Sequence, residues 1–268
     1  MGTWTDEQVP ANGISVHYLR TGGARPPVVL LHGLTDNGAC WTRLARDLEA
    51  DYDLIMPDAR GHGRSAVPDS GYSPEDRAAD TIGLIDALGL DRPVLLGHSM
   101  GGLTAALVAA DAPGQIRGAI LEDPAFIAPE AWASPMLTAW RTQHAMTLTW
   151  SDAALIASGR AEHPLWPDDI FPPWARAKRE TSLKAFDWFA LPPSDIPVII
   201  ARIGVPTLLV TGEPALGAVV SAAVAEALRV RNLRLRVAHV PDAGHCIRYE
   251  QPERFTALVR AFLAEQFG

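Results

Sequence analysis

The 268-residue chain is 48% hydrophobic and 20% charged, which gives it the proportions of an ordinary globular protein with a substantial core. Its net charge of -8 and lack of any Lys/Arg cluster argue against nucleic acid, whose phosphates demand a basic face. The first ten residues hold Asp6 and Glu7 and no apolar signal core, no stretch approaches the ~18 apolar residues of a membrane helix, and Cys40 and Cys246 fit no zinc-site spacing.

A cytoplasmic, metal-free and cofactor-free protein is therefore expected, with no membrane insertion. The first predicted strands are Ile14–Leu19, roughly alternating, and the continuous apolar run Val28–Leu31, which suits a strand buried on both faces. Trp41, Leu44, Ala45 and Leu48 predict a helix over about 40–49, and Asp53–Met56 a further short strand. Ser73-Pro74-Glu75-Asp76 is a helix start, with Ile82, Ile85 and Leu88 expected inward and a stop at Gly89. Strands at Val94–Leu96 and Ala119–Leu121 bracket a small-residue helix, Met100–Ala110. After an interruption the rhythm resumes with Thr207–Val210, a helix near Ser221–Leu228, Leu233–Val237 and a last helix from Pro252 to Gln266. Such alternation predicts βαβ units and an α/β fold with a mainly parallel sheet. The interruption, 74 residues from Pro124 to Pro197, holds six of the eight tryptophans and is too long for a connection. Residues 124–197 are thus expected as an inserted subdomain, with 1–123 and 198–268 forming the core.

The strongest chemical signal is Gly97-His98-Ser99-Met100-Gly101 between a buried strand and a helix. A serine on so sharp a turn is exposed, the glycines let the backbone pass, and the helix N-terminus faces the charge formed during attack. Ser99 needs a base, and His245, in the loop between the last strand and the last helix, is the best-placed of eight histidines. His32-Gly33-Leu34 follows a buried strand, so the backbone N–H groups of Leu34 and Met100 are expected to form an oxyanion hole. His32 and His62 read as loop organisers, and Cys246 as a packed thiol.

His32-Gly33, the turn from Asp58 to Ser65, Gly97-His98-Ser99-Met100-Gly101-Gly102 and Gly244-His245 together resemble the α/β-hydrolase superfamily over nearly the whole chain. The resemblance implies an eight-stranded sheet flanked by helices, a helical cap after the sixth strand, and hydrolysis without a cofactor. Ser99 stands where haloalkane dehalogenases and epoxide hydrolases of the superfamily place an aspartate. Family members commonly carry the triad acid after the seventh strand, three residues beyond a glycine. Here that segment reads Gly212-Glu213-Pro214-Ala215, and alanine fills the position. A minority, zearalenone lactonases among them, use the end of the sixth strand, and Asp123 lies there, 24 residues after Ser99. Side chains alternate along a strand, so Glu122 and Asp123 should face opposite ways. Asp123 is the expected acid and Glu213 the alternative.

These residues predict a serine hydrolase that cleaves a fairly apolar carboxylic ester or lactone through an acyl-enzyme. The same site suits amides, carbamates or carbon–carbon bonds, and a small-molecule receptor on this scaffold would keep the same residues.

Overall fold

The computed structural model describes residues 4–132 and 135–268. They form an eight-stranded sheet: β1 (Thr5–Ala11), β2 (Ile14–Arg20), β3 (Pro27–Leu31), β4 (Asp53–Pro57), β5 (Val94–His98), β6 (Gly118–Glu122), β7 (Thr207–Thr211) and β8 (Leu235–His239). Their order is β1-β2-β4-β3-β5-β6-β7-β8, with β1–β2 and β2–β4 antiparallel and all later pairs parallel. The helices are α1 (Thr42–Leu48), α2 (Pro74–Ala87), α3 (Met100–Asp111), α4 (Pro129–Trp132), α5 (Pro135–Thr147), α6 (Asp152–Glu162), α7 (Phe171–Arg179), α8 (Ile196–Arg202), α9 (Ala222–Arg229), α10 (Ile247–Glu250) and α11 (Pro252–Phe267).

The parallel strands are short apolar runs because both faces are covered. In β3, Val29 and Leu31 enter the core beneath α2 and α3, while Val28 and Leu30 enter the core against α1 and α11. The same alternation divides Leu95 from Val94 and Leu96, and Ala119 and Leu121 from Ile120.

Three elements differ from the sequence-based expectation. Strand β1 was not anticipated, because most of its side chains are exposed and the run TDEQVPA is polar. The signal that specifies it is the turn: Asn12 (φ 47°) and Gly13 (φ 76°) join Ala11 to Ile14 as the two left-handed residues of a tight hairpin. On α2 the buried stripe runs through Arg77, Ala78, Thr81, Leu84 and Ile85, leaving Ile82 and Leu88 only part-buried. Strand β8 begins at Leu235 rather than Leu233, which is 91% exposed. The Asn232 side chain holds the preceding turn, donating to Ile200 O and Ile203 O and accepting from Arg234 N–H.

Between β6 and β7 the chain runs through α4 to α7 and a 3₁₀ segment, Leu183–Ala190, and residue 197 falls in the first turn of α8. This insert is tied to the loops at the carboxyl ends of β3 and β4. Lys178 Nζ donates to Thr35 Oγ1 (2.7 Å) and Thr35 O (3.0 Å), Asn37 Nδ2 to Glu180 Oε2 (2.9 Å), and Ser182 N to Gly61 O (2.8 Å). Its tryptophans divide: Trp188 and Trp166 are buried, Trp132 packs edge-on to Trp188, and Trp140 is exposed.

The helix that follows Ser99 lies so close to the sheet that side chains are excluded. A Cβ on Gly101 would be driven into the carbonyl oxygens of Leu31 and His32, and one on Gly97 into Gly101 O. Gly101→Ala should lower stability by about 3 kcal/mol or more, because backbone rather than a flexible side chain would have to move. A urea midpoint within experimental error of the parent would contradict this.

Candidate active site

Ser99 is the single residue between β5 and α3, and its backbone (φ 51°, ψ -113°) lies far from strand or helix values. Neighbouring backbone holds it there: Ser99 N–H donates to Glu122 O (3.0 Å), and Ser99 O accepts from Leu103 N–H (3.0 Å) and Ala125 N–H (2.9 Å). The turn leaves Ser99 at the carboxyl edge of the sheet, 8% exposed.

The Gly33-Leu34 loop presses against this turn, since a Cβ on Gly33 would stand 3.3 Å from Ser99 Cβ and 2.8 Å from His98 Nδ1. Leu34 and Met100, both buried, therefore flank the serine from two segments. Met100 opens α3, where the first N–H groups have no partner within the helix and the dipole is positive.

His245 lies in the loop between β8 and α10. Its Nδ1 is 2.6 Å from Asp123 Oδ2, with the histidine side chain 32% exposed and the aspartate fully buried. The same carboxylate accepts Val219 N–H (2.8 Å) and Val220 N–H (3.0 Å), and Asp123 has φ 34°, a left-handed value aspartate tolerates. With Nδ1 donating to Asp123, Nε2 is the free lone pair of a neutral ring. The His98 ring lies 4.6 Å from the His245 ring, and His98 Nε2–H donates to His245 O (3.0 Å). Burial drives the His98 pKa well below the ordinary value, so that donor stays neutral. Ser99 Oγ makes no hydrogen bond to His245 here, and such bonds often tighten only when substrate binds.

Glu213 does not approach His245: its Oε1 accepts Asp242 N–H (2.9 Å) and organises the neighbouring loop. Glu122 faces away from Asp123 and accepts Arg248 N–H (2.8 Å) and Arg248 Nη1 (3.2 Å). Arg248 Nη2 reaches Asp36 (3.2 Å), forming a buried acid–arginine–acid chain. Burial pushes the Glu122 carboxyl above its usual range against the pull of Arg248. His32 and His62 organise loops: His32 Nε2 accepts Ala59 N–H (2.9 Å), and His62 Nδ1–H donates to Arg60 O (2.9 Å). Burial also pushes the Cys246 thiol up, so it stays protonated. Among the described residues no three His, Cys, Asp or Glu side chains converge as a metal site would require.

Sequence reasoning missed His98, Arg248 and Arg77. His98 lies inside the Gly97-His98-Ser99-Met100-Gly101 motif at a position the pattern leaves open, and Arg248 carries no motif. Arg77 had a readable signal, since it shares the inward stripe of α2 with Thr81, Leu84 and Ile85.

A sheet of this order with a serine at the strand-to-helix turn after β5 defines an α/β hydrolase. The chain belongs to the alpha/beta hydrolase family, whose model matches residues 28–258. It is 32% identical to an N-formylmaleamate deformylase of Pseudomonas putida, over 95% of this chain and 95% of that protein. The crystal structure of the enol-lactonase from Burkholderia xenovorans LB400 matches with a TM-score of 0.80 and 27% identity, covering 96% of this chain and all of that one. That of an E-2-(acetamidomethylene)succinate hydrolase has a TM-score of 0.83 at 24% identity over 98% of this chain, a likeness of fold. No helix among the described residues is long and apolar enough to cross a membrane.

Close to the site, Asp58, just past β4, holds the loop that meets His32 and Thr35. It accepts Gly38 N–H (2.7 Å), Arg64 N–H (2.8 Å) and His17 Nδ1–H (2.7 Å), and His17 Nε2 reaches Asp6 (2.9 Å). Burial opposes the His17 cation, but the bonds to Asp58 and Asp6 outweigh it and raise its pKa. A raised folded-state value means that the stabilisation is complete below the unfolded pKa of about 6.5 and is lost as pH rises through the folded value. His17→Gln should flatten the stability–pH curve across that interval. Urea midpoints from about pH 5 to 9 would show it, and an unchanged slope would contradict it.

Proposed function

We propose that this chain is a serine hydrolase that cleaves an ester, lactone or activated amide of a small acid through an acyl-enzyme. The observation that carries the reading is the 2.6 Å contact between His245 Nδ1 and the fully buried Asp123 carboxylate, at the sheet edge where Ser99 stands. Ser99 Oγ attacks the acyl carbon while His245 Nε2 takes its proton, and Asp123 stabilises the imidazolium. The oxyanion is received by the N–H groups of Leu34 and Met100, the second at a helix N-terminus. His245 then protonates the leaving group, and a water repeats the sequence on the acyl-enzyme.

The insert, tied to Thr35, Asn37 and Gly61, acts as a lid over this edge. Trp132, Phe186, Trp188 and Phe189 interlock within it and supply apolar walls for the acyl or leaving group. An ester or lactone is the leading substrate class, supported by the likeness to an enol-lactonase. The amide reading is favoured by one specific observation, the near full-length similarity to a deformylase.

A fluorophosphonate should add one group at Ser99, and Ser99→Ala should lose about 10⁶ in kcat on whichever ester, lactone or amide the protein turns over. Labelling elsewhere, or a single stoichiometric burst without turnover, would defeat the enzyme reading. Asp123→Asn should lose about 10⁴ in kcat by removing the partner of the imidazolium, and Glu213→Gln less than about tenfold. The reverse pattern would move the acid to Glu213.

A further inference from the structure

Arg77 is 4% exposed, and α2 aims it inward. Its Nη1 donates to Tyr72 O (2.8 Å), and its guanidinium lies 4.4 Å from the centre of the Trp188 ring, so it stands where core and insert meet. Nε and Nη2, both buried, have no acceptor among the described residues. Those two atoms form the edge a guanidinium turns to a carboxylate for side-on, bidentate binding. The same chain uses that edge three times elsewhere: Arg20 on Asp53, Arg60 on Asp80, and Arg229 on Glu226.

The nearby acids are committed to other groups. Asp80 is held by Arg60 and by Asn12 Nδ2 (2.9 Å), Asp76 closes the helix cap with Ser73, and Asp58 is filled by His17 and two backbone N–H groups. A buried cation without an ion-pair partner is costly, and a site that keeps one has a use for it. Arg77 and Arg60 line a cavity of about 30 Å³ together with the two committed acids Asp58 and Asp80, and the cavity reaches His32 and Met100, the chain neighbours of Gly33 and Ser99.

We propose that Arg77 binds a carboxylate carried by the acyl group of the substrate, so that the molecule cleaved at Ser99 is a monoester or monoamide of a short dicarboxylic acid. The assignment rests on the serine-hydrolase reading above and narrows its substrate class. Apolar walls from the insert then surround the middle of the substrate, and Arg77 fixes its far end.

The test is protection of Ser99 from fluorophosphonate labelling by monomethyl succinate, by its uncharged counterpart methyl butyrate, and by acetate. In the parent protein monomethyl succinate should protect at about 10²-fold lower concentration than methyl butyrate, the scale expected of a buried charge pair. Arg77→Met should collapse that ratio towards one, and Arg77→Lys should keep part of it. The readout is a ratio, which a general loosening of the fold leaves unmoved. Equal protection by the two esters in the parent overturns the proposal without any variant. So does a ratio that survives Arg77→Met, or acetate protecting as well as the monoester, which would make the cavity a general anion hole. Failure of the probe to label Ser99 at all would instead strike the serine-hydrolase reading itself.

Discussion

At Ser99 the chain must change from strand to helix within one residue, and the rest of the site is arranged around that demand. The backbone values it adopts cost an L-residue of order 1–3 kcal/mol and persist only when the surroundings over-determine them. Here they do. The Ser99 peptide groups are bonded to Glu122, Leu103 and Ala125, and the first turn of α3 is pressed onto the ends of β3 and β5 through Gly97, Gly101 and Gly102. Close approach is what brings the Gly33-Leu34 loop against the serine.

The loop carrying His245 and the helix after it are fastened by two neighbouring acids at the end of β6. Asp123 takes His245, and Glu122 takes Arg248, three residues further along in α10. Glu122 is the last residue of the strand and Asp123 turns away from it with a left-handed backbone, so two neighbouring acids reach two different partners without competing. The arrangement separates tasks. The Glu122–Arg248–Asp36 chain is buried and ties α10 to the β3 end, while the His245 ring keeps about a third of its surface open. A buried ion network of this kind brings little net stability, but it fixes geometry, and removing one member would strand the others.

The insert contributes differently. Its bonds to Thr35, Asn37 and Gly61 fall on loops that follow β3 and β4, so its placement and that of the Gly33-Leu34 loop are mechanically linked. Its aromatic residues serve two ends: Trp166 packs with Phe171 and Tyr249 to anchor it, while Trp188 stacks on Arg77 at the boundary with the core.

Local signals determined a good deal of this protein. Continuous apolar runs marked the doubly covered strands, the glycines around Ser99 marked the turn, and the alternation of a strand marked Asp123 and Glu122 as facing apart. All of these depend on residues close in sequence, where periodicity and backbone freedom act directly. Even so, the Asn12-Gly13 hairpin was legible and went unread, because the strand before it is polar and exposed. What only the tertiary structure decided were meetings across long stretches of chain: His98 beneath His245, Arg248 between two acids, and Arg77 left without a carboxylate on the Nε edge that Arg20, Arg60 and Arg229 each turn to one. The pairing of a charged side chain is set by which loops the sheet order brings together, and strand order is not written in any local run of residues.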